Sequence, residues 1–473
     1  MSPAQTDPFA RLRALVSEDE YIGPASPTYA AESSTWSSAR NQRPQVVIRP
    51  LSVDTLSRVV KYLSSTDLQY NVRSQGFGSA SARDVLISMT AFDGFKYDGD
   101  KGTVELGAGA NWAKLYTQME KVAPKEMIVA ARTLCIGVGG STLCSGFSWL
   151  SHEYGCVSDP SNLLDAELVL ADGTVTWASS HPDLFWALRG TEGGFAIVTR
   201  FRFAVKPFPE NGRIWAGPIL LPREKVREVA RGIASMCGRE DVHPKVSLFL
   251  YVMKKELLRL LAGGGGEADM LVVHAYDGLG EEHGRKEFQW ALEIEGAIDM
   301  TIGGMTMLEV CQLQDRIGDL KGSNEQYWTP MALSTMTEEH VVRSFDWWNK
   351  VAEQPSSVSE FGFLLFELFS CRDSLTSRAS SAWPRPLGYK HMLLIGAGCA
   401  PEAGKEENAK ARELVEVDGP KILGEASKDY MPIPNALEEF HDMKRVYGGH
   451  YDTLREVKRR YDPQDRMGGW IRP

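Results

Sequence analysis

The chain has 473 residues, a formal net charge of −10 and a sequence pI near 5.5. That balance excludes a polyanion as the main partner, since nucleic acids and anionic membranes are bound by clustered Lys and Arg; a small apolar or aromatic molecule suits it better. No apolar run reaches the roughly 18–20 residues of a membrane span, and the polar, acidic start MSPAQTDPFARLRALVSEDEY has no apolar signal-peptide core. The expected location is therefore intracellular and cytoplasmic, and the expected state a monomer or weak homodimer.

The length exceeds what one hydrophobic core sustains, so two domains are expected. Seven cysteines, Cys135, Cys144, Cys156, Cys237, Cys311, Cys371 and Cys399, contain no CxxC pair, and the nine histidines show no HExxH spacing. Neither a disulfide framework nor a metal site is expected.

In chain order, Val47 and Ile48 read as a short strand. Val53, Leu56, Val59, Val60 and Leu63 recur at helical spacing, and Tyr70 to Arg73 begin a second strand. The stretch DVLISMTAFDGFKYDGDKGTVELGAGANWAKLYTQME gives strand, hairpin, strand and helix, with DGDKG as the turn. A glycine-rich segment runs from Gly137 to Gly155, and LLDAELVLADGTVTWAS supplies two strands joined at Asp172-Gly173. A short helix, a glycine turn and a strand ending near Val205 follow. From 207 to 429, amphipathic helices (PREKVREVARGIASM, TEEHVVRSFDWWNKVAEQ) alternate with apolar strands (VSLFLYVM, MLVVHAYD, EFGFLLFELF, KHMLLIGAG), which implies an antiparallel sheet backed by helices. GGGGEAD at 263–269 reads as a loop between strands, because it lacks the Lys-Ser/Thr and helix of a phosphate loop.

Several stretches together carry a resemblance. VRSQGFGSA resembles the VRSGGHS of the vanillyl-alcohol-oxidase-type flavoproteins, in their berberine-bridge-enzyme-like group; IGVGGSTLCSGFSWLSHEYGCVSDPSNLL resembles its second glycine segment, and LVLADGTVTWASSHPDLFWALRGTEGGFAIVTRF its most recognisable run. SAWPRP resembles the group's AFPHR, and LREVKRRYDPQDRM its closing motif. The resemblance implies an α+β fold: a two-subdomain, PCMH-type FAD-binding domain over 1–206, a substrate domain over 207–429 with an antiparallel sheet backed by helices, and a segment 430–473 returning to the first domain. It implies FAD as cofactor and oxidation of a small secondary metabolite.

The residues implied to hold FAD are Arg73, Ser74, Gln75, Gly76, Phe77, Gly78, Ser79 and Ala80 in the first turn; Thr133, Cys135, Gly137, Val138, Gly139, Gly140, Ser141, Gly146, Phe147 and Ser148 in the second; and Gly194, Ile197 and Val198 in the third. Glycine suits such turns because it lets backbone amides approach a pyrophosphate.

Departures from the pattern are as informative. Phe77 stands where the family's flavin-bonding His would be, and Thr133 stands at its flavin-bonding Cys. Cys135, two residues on and about 7 Å along an extended chain, is either an alternative thioether donor or a buried thiol. Non-covalent FAD is the expectation. The family's catalytic Tyr motif is matched only by Tyr430, and its catalytic Glu position holds Met392. Two replacements are open: His391, as a base titrating near neutrality or a structural His, and Glu367, as a carboxylic acid among apolar neighbours or a salt-bridged strand residue. Losing the usual groups keeps open a second reading, a flavin-containing non-redox catalyst such as an isomerase, dehydratase or cyclase. Trp149, Tyr327, Trp328 and Trp383 are further pocket candidates.

Overall fold

The computed structural model describes residues 7–208, 213–255, 269–313, 315–368, 380–385, 389–424 and 431–473. A four-stranded sheet comes first, from β1 (Tyr21–Ile22), β2 (Val46–Ile48), β3 (Tyr70–Arg73) and β4 (Val85–Ser88) in the order β1-β2-β4-β3. Strands β2, β4 and β3 are parallel, β1 antiparallel. The crossover between β2 and β3 is the helix Val53–Ser64. Ser52 caps it by accepting from the Thr55 amide at 3.1 Å, and Leu56, Val59, Val60 and Leu63 are fully buried on one face.

A five-stranded antiparallel sheet follows. β5 (Phe95–Asp98) and β6 (Thr103–Gly107) form a hairpin; β7 (Glu126–Met127) stands apart; β8 (Leu163–Val169), β9 (Val175–Trp177) and β10 (Ile197–Ala204) complete the order β5-β6-β10-β8-β9. β11 (Lys206–Pro207) returns to pair with β7.

The largest sheet has nine described strands: β12 (Ile214–Leu221), β13 (Val246–Met253), β14 (Met270–Asp277), β15 (Ile298–Asp299), β16 (Ile302–Met305), β17 (Glu325–Leu333), β18 (Phe363–Leu368), β19 (His391–Cys399) and β20 (Met431–Pro432), all paired antiparallel. Helices Val226–Gly238 and Glu338–Ala352 cover one face with Val229, Ile233, Val341, Phe345 and Trp348. The other face joins the core of the five-stranded unit: Phe249, Tyr276, Ala332 and Met392 share a cluster with Trp112, Phe201 and Leu168. Strands β12 and β17 have no counterpart in the reading of the sequence. Pro218 and Pro330 sit inside them, and an internal proline argues against a strand. The segment after 430 begins in the large sheet as β20. Beyond it, helix Tyr451–Tyr461 reaches the first unit, where Lys458 Nζ donates to the Gly194 carbonyl at 2.7 Å and Met467 bridges to Tyr70.

Candidate active site

One cavity of about 1920 Å³ opens between the glycine turns and the large sheet. Pockets for a single drug-sized ligand run about 300–1,000 Å³, so this one has room for a large cofactor and a substrate together.

Its sheet wall is a pair of rows. His274, Phe249, Glu367 and Met392 lie side by side on β14, β13, β18 and β19. One pleat along, Tyr251, Leu365 and Leu394 form the next row on the same face. All but His274 line the cavity. Glu367 is 1% exposed and paired with Arg132, whose guanidinium lies 4.3 Å from the Phe249 ring centre. The pair takes up one carboxylate oxygen, and Oε2 has no hydrogen-bond partner among the described residues. Burial pushes the Glu367 carboxyl above its ordinary range, against the pull of Arg132.

Beneath the wall Trp149 stacks on Phe249 at 4.0 Å, so it supports the site without lining it. His274 is 1% exposed; burial first, then the Arg132 charge, lowers its pKa to about 3, which keeps it neutral. Trp328 reaches the cavity. Tyr327 donates to Asn408 at 2.8 Å, and Trp383 is buried against Gly190.

The opposite wall is the first turn, Arg73 to Ala80, locked onto the second. Ser74 Oγ donates to the Ala108 carbonyl and Gln75 Nε2 to the Gly109 carbonyl, both at 2.6 Å. A Cβ on Gly137 would stand 2.4 Å from Ser74 Oγ, so the two turns need glycine to interlock. The Arg73 guanidinium is committed to Glu32, beneath the turn, and holds it in shape. Phe77 is half-buried, 5.8 Å from the Trp36 ring, with Lys321 Nζ 5.2 Å from its centre. The same ammonium donates to the Gln75 carbonyl at 2.7 Å, and burial lowers its pKa to about 8.

Of the residues expected from sequence, Thr133, Gly137, Gly139, Gly140, Ser141, Gly146, Phe147, Gly194, Ile197 and Val198 also line the cavity. Four candidates are placed elsewhere. Val138 is fully buried with its amide bonded to Ala110, and Ser148 caps a turn by accepting from the Leu150 amide. Cys135 turns its Sγ to Gly318, 3.1 Å from where a Cβ there would stand. His391 pairs with Leu368 and Leu333 and shares the helix-covered face with Leu393, since strand alternation points it away from Met392. Tyr430 lies outside the described residues, as do Cys371 and most of the 263–269 loop. Among the described residues no Cys forms a disulfide, no group of three or more His, Cys, Asp or Glu is placed to hold a metal, and no helix is long and apolar enough to cross a membrane.

Sequence reasoning missed Arg132, Phe249 and Tyr251. The last two alternate in VSLFLYVM, and pairing that parity with Glu367 would have found them; Arg132 carries no local signal.

Residues 44–179 match the family described as FAD binding domain. This stretch is an FAD binding domain. The FAD-dependent monooxygenase tpcD of Cochliobolus heterostrophus is 30% identical over 268 residues, covering 54% of this chain and 48% of that protein. The FAD-dependent monooxygenase FUP4 of Fusarium proliferatum is 31% identical over 195 residues, covering 40% of this chain and 36% of that protein. The chain thus spans about half or less of the length of these relatives. Among solved structures, the xylooligosaccharide oxidase of Myceliophthora thermophila superposes with a TM-score of 0.79 at 16% identity, covering 98% of this chain and 99% of that one. A variant of berberine bridge enzyme gives 0.78 at 14%, covering 98% of both. These likenesses establish the fold.

The FAD binding domain presents backbone suited to its cofactor. A Cβ on Gly140 would meet nothing within 4 Å, and one on Gly78 only Glu192 at 3.4 Å, and both residues line the cavity, so the missing side chains leave room for a ligand to approach the backbone. Such surfaces accept phosphate closely.

Proposed function

We propose that the chain is an FAD-dependent oxidoreductase, oxidase or dehydrogenase, acting on a small apolar or aromatic secondary metabolite. In this reading 1–206 and 430–473 serve the cofactor and 207–429 the substrate. The observation that carries it is the placement of Glu367: a buried carboxylate with one unpartnered oxygen, on an apolar wall facing the turns of the FAD binding domain.

FAD supplies the two-electron acceptor for a substrate C–H. Phe249, Tyr251, Leu365 and Leu394 bury the substrate body and exclude water. Glu367 Oε2 takes the proton of a substrate hydroxyl, general-base work worth about 10²–10⁴-fold in rate. Arg132 balances the charge on either the carboxylate or a substrate oxyanion.

Retention of FAD without a covalent bond is part of the proposal. Phe77 offers a phenyl ring and Thr133 a hydroxyl, neither a nucleophile toward the flavin, and Cys135 faces Gly318. Acid precipitation of the yellow protein should leave flavin in the supernatant. Anaerobic addition of a substrate of this class should bleach the flavin band. Product formed with an unchanged flavin spectrum would overturn the redox reading in favour of an isomerase, dehydratase or cyclase built on the same wall.

A further inference from the structure

Glu192 occupies the turn after helix Pro182–Leu188, just before Gly193 and Gly194. Its φ is +63°, a left-handed conformation that non-glycine residues adopt at a cost. Its own amide holds it there by donating to the Leu143 carbonyl at 3.0 Å, and the Gly190 amide shares that carbonyl at 2.9 Å. The strained backbone turns the side chain into the cavity. Oε2 accepts from Trp470 Nε1 at 2.8 Å, while Oε1 faces Gly78, 3.4 Å from where a Cβ on that residue would stand.

Gly78 faces this carboxyl, and Gly193, Gly194, Gly468 and Gly469 line the same cavity. The ionisable groups facing it are the Cys144 thiol, at the end of helix Val138–Leu143, and the Tyr447 hydroxyl, at the end of helix Met443–Tyr447; burial raises both, so both are neutral. The nearby cations are committed elsewhere. Lys458 bonds Asp462 and the Gly194 and Met467 carbonyls, Arg472 pairs with Asp465, and Arg73 with Glu32. Among the described residues Glu192 has no ion pair. Burial pushes its carboxyl up to about 7, with the Trp470 bond pulling the other way.

A glycine-walled surface suits a pyrophosphate, which is doubly anionic. An ionised carboxylate on that wall would repel it, whereas a carboxylic acid can donate to it. We propose that Glu192 is a cofactor-binding residue that keeps its proton when FAD is bound and donates it from Oε1 as a hydrogen bond to a pyrophosphate oxygen, so that FAD is released as pH rises. The inference rests on FAD being the cofactor and is independent of what the enzyme oxidises.

The test is FAD binding to the flavin-stripped full chain, read by flavin fluorescence between pH 6 and pH 9. In the native protein the Kd should rise about tenfold per pH unit above neutrality, the linkage slope for one proton. Glu192→Gln keeps a donor but cannot ionise, so its Kd for FAD should show no slope with pH. A flat native profile, or a Glu192→Gln profile as steep as the native one, overturns the proposal. If Glu192→Gln does not fold by circular dichroism, Trp470→Phe decides. Removing a donor that stabilises the carboxylate should move the onset of the slope to higher pH, and an unmoved onset overturns the proposal.

Discussion

Glu367 and Met392 stand directly opposite one another on β18 and β19. The resemblance puts a catalytic carboxylate at the position held by Met392. The chain keeps a carboxylate in the same row of the same sheet face, displaced by one strand, roughly 4.8 Å. A functional group can move across a sheet in this way and still face the same cavity, although it moves by 25 positions in sequence.

Glu367→Gln should lower the rate of anaerobic flavin reduction by about 10²–10⁴-fold, the usual contribution of a positioned base. The amide keeps the shape and can still meet Arg132, so the fold should survive. Glu367→Met combined with Met392→Glu returns the carboxylate to the neighbouring strand and should recover at least about tenfold over Glu367→Met alone. Equal rates in those two variants would assign the proton transfer to another group.

Phe77→His introduces an imidazole in the half-buried turn between Trp36 and Lys321. If Phe77 borders the flavin ring as the resemblance implies, a fraction of the flavin should become acid-stable, staying yellow with the precipitated protein. Colour released completely, as from the native chain, would place the ring elsewhere.

How much of this was legible in sequence differed by region. The glycine turns were, because a run of small residues is visible locally; that Gly137 must clear Ser74 Oγ, and Gly76 the Arg73 guanidinium and the Ser34 carbonyl, only the fold shows. The strand that carries Glu367 was legible from its apolar run, and its face followed from alternation. Arg132 was not, since nothing near it in sequence announces that β18 will bring a carboxylate to it across 235 positions. His391 shows the opposite failure: its chemistry suits a base, but the odd-even alternation of β19 turns it to the helix-covered side.

Two glycines of the FAD binding domain should respond oppositely to alanine. At Gly76 the φ is +72° and a Cβ would stand 2.4 Å from both Arg73 Nη2 and the Ser34 carbonyl. Gly76→Ala should therefore cost stability, at least about 1–2 kcal/mol from the left-handed backbone alone, and lower the Tm of the apoprotein. At Gly140 a Cβ meets open space in a helix. Gly140→Ala should leave the apoprotein Tm unchanged or slightly raised while weakening FAD binding. A lowered apoprotein Tm in Gly140→Ala would mean that the residue serves the fold rather than the ligand.

Stability should fall in mild acid, and His274 is one cause. Neither of its ring nitrogens has a hydrogen-bond partner among the described residues, and its pKa is lowered to about 3; burial likewise lowers His441 to about 4. Both are neutral in the folded chain, whereas the unfolded chain takes up a proton on each near pH 6.5. Stability from these two groups is thus complete above about pH 6.5 and is lost as pH falls toward 4, at up to about 1.4 kcal/mol per pH unit for each. Glu192 opposes them: its folded pKa of about 7 lies above the ordinary 4.5, so its contribution is present below pH 4.5 and lost as pH rises through 7. Urea unfolding between pH 4.5 and 6.5 separates the two. His274→Phe, which places an apolar ring beside Trp149 and Phe249, should flatten the acid loss, and Glu192→Gln should steepen it. If His274→Phe leaves the slope unchanged, the buried imidazole is taking a proton in the folded state and has a partner within its core.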